Sequence, residues 1–268
     1  MLRRPGMYGR KPLDPTKPRP ILEKYLDPKV PLSRVSLPPV TLYQDVDRAS
    51  KVLNWPMYLN SMLGCCTISA EGHMFGAWSM YATGTEVTFA DSQIQLVYSR
   101  VGGYVPGNPA TDNGCEMAEV LADAAANGMT DVLGKTHKAV AYAAFGNPED
   151  EVLLGQVLDV FGSVYVGFNV QQVIEDEFAN DQVWTYAPGQ PFIGGHCVCL
   201  QRRVPAGSKH GILQYCTWGA LQWADFGWQA NTVEEAWAVV TDDWVQANGT
   251  TVTGLDLQQL LADMQDVG

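Results

Sequence analysis

Apolar residues recur at spacings of three and four from Cys66 onward. Ala70, Met74, Ala77, Trp78 and Tyr81 fall on one face, which predicts a helix with a buried side, closed by Gly84. A second helix is expected from Asp91, with Ile94, Val97 and Tyr98 inward, to Gly102-Gly103. A third runs from about Cys115 through Met117, Val120, Leu121 and Ala124 to Gly128. The pattern then changes. Lys138 to Phe145, Ser163 to Val170, His196 to Arg202, Ile212 to Thr217 and Trp237 to Thr241 predict strands of one sheet. After the first of these, Asn147-Pro148-Glu-Asp-Glu predicts a helix start, with a cap, Pro at the first position and acids against the dipole, and that helix ends near Phe161-Gly162. Asp256 to Met264 predicts a last short helix. Helices first and strands later make an α+β layout, without the regular alternation of a doubly wound fold.

The front of the chain obeys neither period. Pro5, Pro12, Pro15, Pro18, Pro20, Pro28 and Pro31 forbid helix and favour extended backbone. Residues 1 to 34 carry nine Lys or Arg against Asp14, Glu23 and Asp27, a net +6, while the whole chain stands at −12, so the remainder holds −18. This predicts a basic, Pro-rich arm over residues 1–40 that lies on its own acidic body or on a neighbouring subunit. A body over 41–250 follows, helical at about 55–135 and sheet at about 136–245, and then a C-terminal helix in 251–268.

An acidic chain of 268 residues with 46% apolar content and eight Trp can bury a sizeable core, and its charge argues against direct binding of nucleic acid by the body. Met1-Leu-Arg-Arg-Pro5 has no apolar stretch behind its charges, so no secretory signal is read. No run of about 18 apolar residues predicts a membrane span. The expected setting is therefore cytoplasmic, or inside an assembled virus particle, with the six cysteines as thiols or ligands.

Two stretches carry candidate chemistry. Asn60-Ser-Met-Leu-Gly-Cys65-Cys66-Thr67 puts Cys66 at the N-terminus of the first helix, where backbone N–H groups and the helix dipole stabilise a thiolate. Gly194-Gly195-His196 opens a predicted strand some 130 residues later, and His73, His137 and His210 fit a general base less well by position. Each residue also has an ordinary structural reading: a small core thiol for Cys66, a turn residue for Asn60, a helix-capping turn around Gly114. Cys66, His196 and Cys216 offer three soft ligands for zinc, whereas Cys197 and Cys199 face the side of their strand opposite His196 and cannot join it on one ion. No phosphate-binding, dinucleotide or zinc-protease motif is present, and neither cofactor nor metal is called.

With Gln214-Tyr215-Cys216-Thr217-Trp218-Gly219 added, the ordered set resembles papain-like cysteine peptidases, and within them a group of bacterial and bacteriophage proteins. The resemblance implies a helical lobe bearing the Cys helix packed against an antiparallel sheet lobe. It implies Cys66 as nucleophile, His196 as base, and Asn60 with the Cys66 amide as oxyanion hole. Trp218 would shield the dyad and Gly114 would line the cleft. Cys216 stands where the family has the Asn that orients His, and Thr217 replaces Ser; a thiol accepts poorly, so Thr217, a backbone carbonyl or a water would have to take that part. Two functions follow. One is a cysteine hydrolase acting on peptide or amide bonds of a peptide or protein substrate. The other is a non-catalytic structural protein of a phage particle, assembling with other subunits through residues 1–34.

Overall fold

The computed structural model describes residues 3–23, 45–204, 213–241 and 244. The predicted C-terminal helix of 251–268 lies outside these residues.

Six helices and nine strands are present among the described residues: β1 (Val46–Asp47), α1 (Cys66–Thr83), α2 (Asp91–Gly102), α3 (Met117–Ala126), β2 (Met129–Thr130), β3 (Thr136–His137), β4 (Ala139–Ala144), α4 (Glu151–Phe161), β5 (Val164–Gln171), α5 (Val173–Ala179), β6 (Phe192–Arg203), β7 (Leu213–Thr217), β8 (Ala220–Ala224), α6 (Phe226–Thr232) and β9 (Val233–Thr241). The main sheet runs β4-β9-β5-β6-β7-β8, with β1 on the end of β6, and every pairing is antiparallel. This is an α+β arrangement.

Helix α1 determines the layout. It ends at Gly84, whose left-handed backbone turns the chain and lets its N–H bond Met80 O. All residues from Cys66 to Ser79 are buried, because α2 and α3 cover one side and the sheet the other. Alternation divides the sheet between two cores. Tyr165, Cys197, Cys199, Cys216 and Trp237 face the α1 side. Val164, Val166, Phe168, Val198 and Leu200 face a second core completed by α4, α5 and α6.

Two predicted boundaries are corrected. Helix α4 begins at Glu151 rather than at Pro148, because Asp150 is the better cap: its carboxylate accepts from Leu153 N at 2.9 Å, while Asn147 holds only a preceding turn. Strand β6 begins at Phe192, so His196 sits inside it rather than opening it. Gly194 and Gly195 belong to the ladder, paired with Val170 and Asn169.

Residues 3–23 lie on this same body. Ile21 bridges Ala144, with Leu22 N to Ala144 O at 2.7 Å and Ala144 N to Pro20 O at 2.8 Å, so the arm pairs with β4 at the edge of the sheet. Arg3 meets Asp181 at 2.7 Å and Lys17 meets Glu116 at 2.7 Å, the charge complementarity expected of a basic arm on an acidic body. No helix among the described residues is long and apolar enough to cross a membrane.

Glu71, in the buried middle of α1, generates a pH dependence. Burial pushes its carboxyl up to about 8, Asp123 adds to the rise, and Arg100 opposes it. The folded chain therefore holds a proton that the unfolded chain has released, and stability contributed by the neutral acid is lost as pH rises from about 4.5 through about 8. Glu71→Gln removes that loss. In paired melts of wild type and variant, the variant should gain on wild type by several degrees between pH 5 and pH 8.5; parallel melting curves at both pH values would contradict the assignment.

Candidate active site

Cys66 is the first residue of α1, and the nearby backbone N–H groups of Cys197, Gly9 and Thr67 favour its thiolate. The segment leading into it is fixed from two sides. The Asp112 carboxylate accepts from Gly64 N at 3.0 Å and from the Tyr98 hydroxyl, and Tyr98 in turn receives Gly114 N at 2.9 Å. Tyr98, expected inward from its helical spacing, and Asp112 thus hold the turn before Cys66 and the turn that carries Gly114.

His196 lies on β6, one residue before Cys197. Its Nε2 is 2.8 Å from Thr217 Oγ1, and its ring stacks on the Trp218 indole with centroids 4.6 Å apart. The sequence places Trp218 here by local chemistry. Trp218 and Gly219 join β7 to β8 as a two-residue loop, and both have positive φ, 45° and 72°, as a type I′ hairpin requires. A non-glycine residue in that conformation costs on the order of 1 kcal/mol, offset by burial of the indole against His196, Phe178 and Trp184.

Cys216 is elsewhere. It sits opposite Cys199 in the β6–β7 ladder, on the α1 side of the sheet, with Cys199 and His73 as its neighbours. The side chain at Nε2 of His196 is therefore that of Thr217, and the trio Cys66, His196 and Cys216 is not the grouping the strands produce. Oγ1 of Thr217 can accept a proton from Nε2, which leaves Nδ1 as the basic nitrogen. Nδ1 is buried and has no hydrogen-bond partner among the described residues.

The cleft between these walls holds the arm. Asn60 Nδ2 donates to Met7 O at 2.9 Å and to Leu63 O at 3.1 Å, and Met7 N donates to Asn60 O. Gly9 N and Arg10 N both reach Gly195 O, at 3.2 and 3.0 Å, while Cys115 N donates to Gly9 O and Lys11 N to Cys115 O. The Tyr8 ring lies edge-on to His196, and its hydroxyl bonds Glu175. The backbones approach too closely for side chains. A Cβ on Gly9 would come within 1.7 Å of Gly64 O, and one on Gly195 within 2.4 Å of Arg10 O. Arg10 anchors the strap, its guanidinium fully buried against Glu234 at 2.6 Å, Glu235 at 3.1 Å and Asn169 at 2.8 Å.

Burial dominates the electrostatics. Cys66 is 1% exposed, and burial pushes its thiol up to about 11 against the lowering by the Cys197 and Gly9 amides, Arg10 and the Thr67 amide. Burial also drives His196 down to about 3, with the Arg10 cation adding to the drop. Between those values both groups are neutral. In this closed arrangement burial disfavours both the thiolate and the imidazolium that nucleophilic chemistry needs, while two groups of the strap, the Gly9 amide and Arg10, favour the thiolate and Arg10 opposes the imidazolium.

Solved structures of similar shape are cysteine proteases. The chain is similar to xylellain from Xylella fastidiosa (TM-score 0.61, 14% identity, 90% of this chain and 98% of that one). It is similar to procathepsin B S9 from Trypanosoma congolense (0.59, 14%, 88% and 87%). It is also similar to the Amb a 11 cysteine protease of ragweed pollen in its proform (0.53, 14%, 78% and 67%). No protein-family model matches the sequence, and no curated protein matches it. The fold is papain-like.

At pH 7 a thiol with a pKa near 11 is about a hundredfold less ionised than a free cysteine. Cys66 in the full chain should accordingly resist iodoacetamide. Gly9→Leu, which collides with Gly64, should raise the rate of labelling at Cys66 by about a hundredfold, as read by peptide mapping. Equal rates in the two proteins would show that the strap does not govern the thiol.

Proposed function

We propose that this chain is a latent papain-like cysteine hydrolase, cutting peptide or amide bonds with Cys66 and His196 and held inactive by its own residues 3–11. The observation that carries the reading is the strap: an extended backbone hydrogen-bonded along both walls of the cleft, directly over a cysteine at a helix N-terminus. A surface that binds one extended peptide backbone in this way has the donors and acceptors to bind another. Two of the similar structures are themselves proforms.

With the strap released, water enters beside Cys66 and His196, and the burial that keeps both neutral is relieved. Loss of Arg10 from the cleft removes a cation that opposes protonation of the imidazole. Cys66 Sγ then gives its proton to Nδ1 of His196 and attacks the scissile carbonyl. The oxyanion is held by the Cys66 amide and by Asn60 Nδ2, which in the strapped state bonds Met7 O. His196 returns the proton to the leaving amine, and water, deprotonated by the same nitrogen, releases the acyl group. Thr217 keeps the imidazole in the productive tautomer, and Trp218 covers that hydrogen bond.

A second reading rests on the same burial. A cleft closed over Cys66 also suits a scaffold that keeps the fold and has set aside the chemistry, as in a structural protein of a phage particle. Residues 3–23 are engaged on their own body, so assembly through this part of the arm would require it to be released first.

Full-length protein and a form lacking residues 1–12 should be compared on a fluorogenic peptide library. The truncated form should turn over substrate and the full chain should not. In the truncated form, Cys66→Ser should abolish activity, and Asn60→Ala should lower kcat by about 10²–10³ with little change in KM. Thr217→Val should lower kcat by about 10². A folded truncated form with no turnover and no labelling by a peptidyl thiol-reactive electrophile would favour the scaffold.

A further inference from the structure

Beneath the dyad, on the α1 side of the sheet, a ring nitrogen of His73 and the sulfurs of Cys199 and Cys216 all lie within 4.8 Å of one another, and all three residues are buried. We propose that His73, Cys199 and Cys216 form a structural zinc site that clamps the helix of Cys66 to the strands of His196 and Thr217.

The imidazole is oriented for this. His73 Nε2 is 2.7 Å from Pro56 O, and a carbonyl can only accept, so Nε2 carries the proton and donates. Nδ1 is left with a lone pair, and it is buried with no hydrogen-bond partner among the described residues. A metal-binding histidine has this arrangement: one nitrogen fixed by a backbone carbonyl, the other free to coordinate. The two thiols are held at directly opposed positions of the β6–β7 ladder. A nearby oxygen donor is available as well. Gln201 lies two residues beyond Cys199 on β6; its Nε2 donates to Ser163 at 2.9 Å, and its Oε1 is buried without a partner among the described residues.

Charge selects the ion. Zinc with two thiolates and a neutral imidazole sums to zero, the state a dry core accepts at least cost, and two sulfurs, a nitrogen and one further donor complete its tetrahedron. The placement gives the ion a task. His73 lies seven residues after Cys66, two turns along the same face of α1 and about 10 Å below it. Cys199 is three residues beyond His196, and Cys216 adjoins Thr217. Each ligand therefore sits on an element that carries one part of the candidate active site. This assignment is independent of catalysis, since the dyad contributes no ligand.

Because the site is closed, zinc must enter during folding. Full-length protein refolded under reducing conditions with equimolar zinc and then desalted should retain about one zinc per chain by mass spectrometry of the metal. Cys66→Ser and His196→Ala should retain it, whereas Cys199→Ser and Cys216→Ser should lose at least nine-tenths. Cobalt in place of zinc should give thiolate charge-transfer absorption and the visible bands of a tetrahedral ion, a readout that stands even where a serine variant fails to fold. Wild type with zinc should melt several degrees higher than wild type refolded with chelator. Natively folded wild type that emerges without metal, cobalt spectra without thiolate bands, or metal that leaves with Cys66 would each overturn the proposal.

Discussion

A helix buried on every side must find partners for each polar group it carries, and α1 is such a helix over its first fourteen residues. Ser69 bonds back to Tyr58 O and Cys65 O, His73 reaches Pro56 O, and Ser79 accepts from Val87 N. These bonds fix the 56–60 segment against the helix, and with it Asn60 beside Cys66. Cys66, its candidate oxyanion donor and the buried histidine beneath them are placed by one packing requirement. Glu71 shows its cost: an acid with no adequate partner in the same environment stays protonated well above its ordinary range.

The strap extends that logic to the other side of Cys66. Met7, Gly9, Arg10 and Lys11 bond to residues of both lobes, so the same backbone groups that could receive a substrate are satisfied within the chain. Removing water from the cleft disfavours charge on either member of the dyad, and Arg10 adds a cation where an imidazolium would have to form. The closure over Cys66 and His196 is thus electrostatic as well as steric. A buried pair such as Arg10 with Glu235 is strongly destabilised when one partner is removed, which makes Arg10 the natural latch.

Much of this was legible in the sequence because it rests on local period. The faces of α2 and α3, the run of β5, the last five residues of β9 and Cys66 at a helix start follow from spacing, whereas for α1 the spacing predicts one buried face and the helix is buried all round through Ser79. What failed to show depends on pairing. Counting back from Trp218 puts Cys216 beside His196, but the I′ turn begins at Trp218, and in a strand one residue's shift changes the face, so it is Thr217 that meets the imidazole. The composition marked the arm as basic and Pro-rich, yet its path is set by glycines on separate walls, Gly9 against Gly64 and Gly195 against Arg10, whose proximity no local pattern encodes. Similarly His73 read as one more helical residue, because its neighbours Cys199 and Cys216 are more than a hundred positions away.

The pairing of Ile21 and Leu22 with Ala144 makes the arm two devices in series. Residues 6 to 11 plug a cleft, whereas residues 20 to 22 cover a sheet edge that would otherwise offer unpaired backbone groups to another chain. A break between Lys11 and Pro20 releases the plug and leaves the cover in place. A break after Glu23 frees both, and the backbone groups of Ala144 at the end of β4 would lose their partners, so the position of the cut decides whether that corner of the sheet stays paired.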